Sequence, residues 1–247
     1  MRSLTKHGRY INSRIGKAID AYDLINNGDK ILVAVSGGKD STTLLSLLKE
    51  RLRWIPVKYE LIACHVKTDF HCGSCAHTKT LTKFFKKLGV KYVFKDVKVL
   101  DTKGKTNCFW CSWNKRKALF ETADEFKCDK IAFGHHKDDI VETVLMNMIY
   151  KGETAAMNPK QELFKGKIVI IRPLCLVEEK FIRLYAKENA LTDKLCACPF
   201  GADSKRKYVK KLIKDIAKDS PDINVRTNIF NSIARVKGDY VKLESIS

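Results

Sequence analysis

No apolar run in this sequence approaches the ~20 residues that a membrane-spanning helix requires. The first residues, Met-Arg-Ser-Leu-Thr-Lys, lead directly into polar and basic side chains and lack the apolar core of a secretory signal. The expected location is therefore the cytoplasm, with no membrane association. Acidic residues are also scarce: Asp and Glu number 28 against 47 Lys and Arg, a net charge of +19. Scattered lysines can serve solubility alone. Here the basic residues gather with aromatics, at Arg2, Lys6, Arg9 and Tyr10 and again from Lys205 to Lys211 around Tyr208. That composition suits a surface that neutralises phosphates. Internal repeats and low-complexity linkers are absent. The 247 residues, 45% of them hydrophobic, suit one α/β domain with a large core and a small appendage.

Nine cysteines are present, but a cytosolic chain has little use for a disulfide framework. Cys64, Cys128 and Cys175 neighbour apolar residues and read as small core fillers. The pairs Cys72/Cys75, Cys108/Cys111 and Cys196/Cys198 need another explanation.

Periodicity organises the rest. Apolar residues at helical spacing mark a helix over Ile11–Ile25, ended by Asn26-Asn27-Gly28-Asp29. Lys30–Val35 is a short β-branched run followed by glycines, a buried strand. The alternation continues with a helix at Ser41–Leu52, a strand at Tyr59–Val66, a helix at Thr78–Leu88 and a strand at Lys91–Val97. Then follow a helix at Trp113–Phe126, a strand at Lys130–Phe133, a helix at Asp138–Tyr150, a strand at Ile168–Ile171 and a helix at Glu178–Ala190. Beyond Asp203 only helical patterns remain, broken at Pro221. Repeated strand–helix units predict an α/β fold, a doubly wound parallel sheet covered on both faces, with an N-terminal helix and a basic helical C-terminal tail.

Ser36-Gly37-Gly38-Lys39-Asp40-Ser41 follows the first strand and opens a helix. Adjacent glycines let backbone N–H groups approach an anion, and the helix N-terminus adds positive charge. Ser36 and Ser41 offer hydroxyl donors and Lys39 a point charge. Asp40 makes sense beside phosphates mainly as a holder of Mg²⁺. A Walker A loop is excluded, because position 34 is alanine where that motif requires glycine, and no G-x-G-x-x-G is present. The plainer alternative is a serine-capped turn. Gly134-His135-His136-Lys137-Asp138-Asp139 likewise lies between a strand and a helix, where open α/β sheets bind ligands. Its plainer alternative is a carboxylate helix cap. Cys108-Phe109-Trp110-Cys111 sits just before the helix that begins near Trp113, and a helix start favours the thiolate. On spacing alone, Cys72/Cys75 with Cys108/Cys111 would make a zinc site, or Cys108, Cys111 and a late cysteine an iron–sulfur site.

Ser-Gly-Gly-Lys-Asp-Ser after a first apolar strand resembles the loop of the PP-loop ATP pyrophosphatases, an adenine nucleotide α-hydrolase-like fold. That family adenylates a carbonyl oxygen and releases pyrophosphate. From Ile11 to about Leu191 the chain is similar to the tRNA 2-thiocytidine synthetases (TtcA-like). The similar stretches include Cys108-x-x-Cys111, Gly134-His135-His136-Lys137-Asp138-Asp139, Met157-Asn158-Pro159-Lys160, and Ile171-Arg172-Pro173-Leu174 followed by Val177-Glu178. The resemblance implies residues 1–28 as an N-terminal basic helix, 29–190 as the PP-loop domain and 191–247 as a cysteine-containing helical segment. It implies ATP bound by Ser36, Gly37, Gly38, Lys39, Asp40, Ser41, Gly134 and His135. It further implies catalysis by Lys39, Asp40, Lys137 and Asp139, with Mg²⁺ on Asp40 and Asp139. A 4Fe–4S cluster is implied on Cys108, Cys111 and Cys198, with Cys196 as the alternative third ligand. The implied partners are tRNA and a sulfur donor, either free sulfide or a cysteine desulfurase or persulfide carrier, and a homodimer stays open. The implied reaction is ATP-dependent thiolation of a tRNA base, 2-thiocytidine formation in the anticodon loop. Uridine thiolation, a lysidine synthetase-like ligase with structural zinc, and a non-catalytic RNA binder are the alternatives. His71-Cys72-Gly73-Ser74-Cys75 has no counterpart role in that family.

Overall fold

A computed structural model describes residues 4–70, 74–191, 205–237 and 239, with 74–77 described by backbone alone. Cys72, Cys196 and Cys198 lie outside what it describes, as does the side chain of Cys75. Eight helices and six strands are described: α1 Lys6–Tyr22, β1 Lys30–Ala34, α2 Lys39–Arg51, β2 Glu60–Thr68, α3 Ser74–Leu88, β3 Lys91–Val97, α4 Cys108–Glu125, β4 Lys130–Ala132, α5 Lys137–Lys151, β5 Lys160–Leu163, β6 Ile168–Ile171, α6 Glu179–Glu188, α7 Lys205–Asp219 and α8 Val225–Ser232. They fall into two compact units, residues 1–136 with 158–201, and residues 137–157 with 202–247.

The first unit holds a six-stranded sheet in the order β3-β2-β1-β4-β6-β5. β3, β2, β1, β4 and β6 run parallel, and the inner strands β1, β4 and β6 are the short, largely apolar runs expected of strands buried on both faces. The right-handed rule for parallel crossovers puts α2 and α3 on one face and α4 on the other, in keeping with Phe85 of α3 meeting Tyr92 and Phe94 while Val93 between them packs under α4. Under α4, Leu119 and Ala123 pack with Leu32, Ile62, Cys64, Cys128 and Ile131. α1 contributes the fully buried Ile11, Ile15 and Ala18. The reversal of winding direction falls between β1 and β4, where Val33 pairs with Ala132.

One described strand was absent from the sequence reading. β5 runs antiparallel to β6, Gln161 opposite Ile170, and was not expected because Lys-Gln-Glu-Leu carries no apolar alternation. An edge strand with both faces partly wet needs none. The cysteine fillers are as expected: Cys64, Cys128 and Cys175 are buried. Burial pushes their thiols up, to about 11, about 11 and about 12 respectively.

The second unit is helical. α7 and α8 pack on α5 around Val141, Val209, Ile213 and Val225. Among the described residues no helix is long and apolar enough to cross a membrane.

Candidate active site

The chain leaves β1 through Val35 and turns at Gly37, whose φ of +90° is open to glycine at little steric cost. Gly38 is the N-cap of α2 and brings no side chain to cap it. The first turn of the helix thus has no side-chain acceptor at its cap, as an anion site requires. The serines shape the turn. Ser41 Oγ accepts from Ser36 N at 3.2 Å and donates to Gly38 O at 3.1 Å, while the two serine hydroxyls lie 3.2 Å apart.

The second loop presses directly on the first. A Cβ added at Gly134 would lie 2.9 Å from Ser41 N and 3.0 Å from Asp40 C, so only glycine permits this approach. His136, 4% exposed, brings Nε2 to 3.8 Å from Asp40 Oδ1. His135 stacks on Phe133 with ring planes 17° apart. Ser36, Gly37, Gly38, Lys39, Asp40, Ser41, Gly134 and His135, all expected from sequence, are therefore gathered at the carboxyl ends of β1 and β4, the switch point of the sheet.

Lys39 Nζ lies 3.2 Å from Asp40 and 3.1 Å from Glu179 Oε1. Burial works against its charge, yet the carboxylates of Asp40 and Glu179 outweigh that and raise its pKa above the ordinary 10.5. Glu179 was not foreseen. It enters from α6, and a partner supplied across the fold leaves no mark on the spacing around Lys39.

Lys137, Asp138 and Asp139 open α5 and belong to the second unit. There Lys137 Nζ donates to Thr227 Oγ1 at 2.8 Å and lies over the Phe230 ring. Asp139 Oδ1 accepts from Arg206 Nη1 at 3.3 Å, and Asp138 pairs with Arg226 at 2.8 Å. These arginine partners were also unforeseen.

Asn107 caps α4 by accepting from Trp110 N at 2.8 Å. Cys108 and Cys111 stand on the first turn as free thiols, one exposed and one half-buried. Among the described residues no three His, Cys, Asp or Glu side chains group as a metal site, and the expected third thiol, Cys198 or Cys196, lies outside them. Behind this end of the sheet Arg172 is buried and donates to Asn158 O. Burial first, and the charge of Arg116 second, lower its pKa.

A family model described as a PP-loop domain matches residues 9–193. The chain is 36% identical over 237 residues to the tRNA-cytidine(32) 2-sulfurtransferase of Syntrophotalea carbinolica, covering 93% of this chain and 90% of that one. It is 36% identical over 238 residues to the protein of the same name from Geobacter metallireducens, covering 94% and 91%. Among solved structures, the U34-tRNA thiolase NcsA from Methanococcus maripaludis, with its 4Fe–4S cluster, matches with a TM-score of 0.76 at 26% identity. That match covers 96% of this chain and 82% of that one.

Proposed function

This chain belongs to the PP-loop domain family, and on that premise we propose that it is an ATP-dependent tRNA sulfurtransferase that replaces the 2-oxygen of a cytidine with sulfur. The observation that carries the reading is the meeting of two loops, Gly134 against Asp40 and Ser41, which builds a phosphate cradle at the sheet's switch point.

In this reading the triphosphate of ATP rests on the N–H groups from Gly37 to Ser41, with Lys39 as counter-charge. Asp40, steadied by His136, and Asp139 are the carboxylates that would hold Mg²⁺. Basic residues of α1 and α7 take the tRNA backbone, and the target base is turned out of its stack. The base oxygen attacks the α-phosphorus and pyrophosphate leaves, its charge balanced by Lys39 and Lys137. The bond from the base carbon to that oxygen then breaks as sulfur takes its place, and AMP departs carrying the oxygen.

Cys108 and Cys111 fit a cluster by donor chemistry: two free thiols on one open helical turn. With Cys198 (or Cys196) as third ligand they would hold a 4Fe–4S group, whose contribution is to present sulfide to the activated base carbon. Free sulfide would supply that sulfur directly, and a persulfide carrier would supply it once a thiol reductant delivers the two electrons that turn its outer sulfur into sulfide.

The test is reconstitution: anaerobically prepared protein, ATP, sulfide and unmodified tRNA. The predicted products are a thiolated cytidine and AMP in equal amounts. Asp40→Asn is predicted to abolish both products, and Cys108→Ser to abolish the thionucleoside with ATP binding kept. AMP accompanied by an amidated or lysine-bearing base would assign the chain to a ligase without sulfur chemistry.

A further inference from the structure

Helix α4 shows solvent a set of rings that the sulfur chemistry does not use. Phe109 is 74% exposed, Trp110 45% and Trp113 47%, although rings of this size ordinarily fill a core or an interface. Trp110 and Trp113, three residues apart on one helical face, stack with planes 7° apart and centroids 5.5 Å apart. The two indoles thus form one apolar plate of two parallel, offset rings. The other side of the helix is already committed to the first unit's core through Ala118, Leu119, Thr122 and Ala123.

Charge indicates what the plate receives. Lys117 Nζ lies 5.7 Å from the Trp113 ring centroid. Lys103 and Lys105 on the preceding loop are exposed, as is Arg116. Arg116 also stands close enough to the buried Arg172 to work against that guanidinium's charge, a repulsion an anion relieves. Flat aromatic faces set among cations, in a chain of net charge +19, match a ligand that is itself flat and carries phosphate: an unpaired nucleotide. The plate begins beside Cys111, so a base held there fixes a single strand against the turn that carries both thiols.

We propose that Trp110 and Trp113 form a stacking platform for an unpaired base of the RNA substrate, with Lys117 placed for its phosphate. The inference rests on the RNA-modifying reading above and adds where the strand is gripped.

The chain has three tryptophans, so the full-length Trp54→Phe protein emits from Trp110 and Trp113 alone. Titration with an unmodified tRNA anticodon stem–loop, without ATP, is predicted to quench that emission. Inorganic polyphosphate is predicted to bind without quenching. Trp110→Ala and Trp113→Ala should each weaken stem–loop binding by about fivefold or more, and the phenylalanine variants should retain most of it. The phenylalanine pair also keeps the measurement valid if an alanine variant fails to fold. Unchanged stem–loop affinity in both folded alanine variants overturns the platform. So does equal quenching by polyphosphate, or quenching that follows protein concentration alone, which would put a second copy on the plate. Thionucleoside formation by the same protein is read in parallel. Its absence with RNA quenching intact overturns only the sulfur-transfer reading, and its presence without quenching overturns only the platform.

Discussion

Gly134 has the tightest steric margin in the site, because its missing Cβ is what lets one loop touch the other. Gly134→Ala puts a methyl group within 3.0 Å of the Asp40–Ser41 backbone, an overpacking that costs about 1–3 kcal/mol. The predicted outcome is a lower melting temperature with ATP affinity falling further than stability alone explains; calorimetry and nucleotide titration measure both. The Lys39–Glu179 pair makes a pH prediction. A lysine whose pKa is raised on folding contributes stability fully below its ordinary 10.5 and loses it as pH climbs through the raised value. The stability gap between the wild type and Glu179→Gln in urea unfolding is therefore predicted to be full near neutrality and to shrink in strong alkali. A gap that widens with pH contradicts the ion pair. Lys39, Asp40 and Gly134 were legible in the sequence because each lies in a contiguous loop between strand and helix. Glu179, Arg206 and Arg226 were not, because contacts made across the fold leave no local pattern.

At the scale of elements, the buried inner strands advertise themselves through apolar runs, and all five parallel strands were read. Most helix starts were read late for a physical reason: caps, not apolar periodicity, set them. Thr5 Oγ1 accepts from Gly8 N, so α1 begins at Lys6, ahead of the first apolar stripe residue at Ile11. Asn107 starts α4 at Cys108, ahead of Trp113. This second case matters most, because it places both thiols within the helix's first turn. In the helical unit, Ile213 is 1% exposed and packs with Val141, Val209 and Val225. Ile213→Ala is predicted to cost about 2–5 kcal/mol and to raise amide exchange in α7 and α8. Exchange rising equally in β1 and β2 would show that the two units unfold as one.

Across the whole molecule the excess of 47 basic over 28 acidic residues is long-range chemistry, and its predicted signature is salt. Neutralising several phosphates should make tRNA affinity fall at least about tenfold between roughly 50 and 200 mM monovalent salt, linearly on a log–log plot. A flat plot contradicts backbone recognition. The central claim concerns one oxygen atom, which leaves the base on AMP while sulfur replaces it. A tRNA carrying oxygen-18 at O2 of the target cytidine tests this directly by mass spectrometry of the nucleotide product. The predicted result is AMP two mass units heavier, in equal amount to the 2-thiocytidine formed, with unlabelled pyrophosphate. Thiolated tRNA accompanied by AMP without the label would contradict the account.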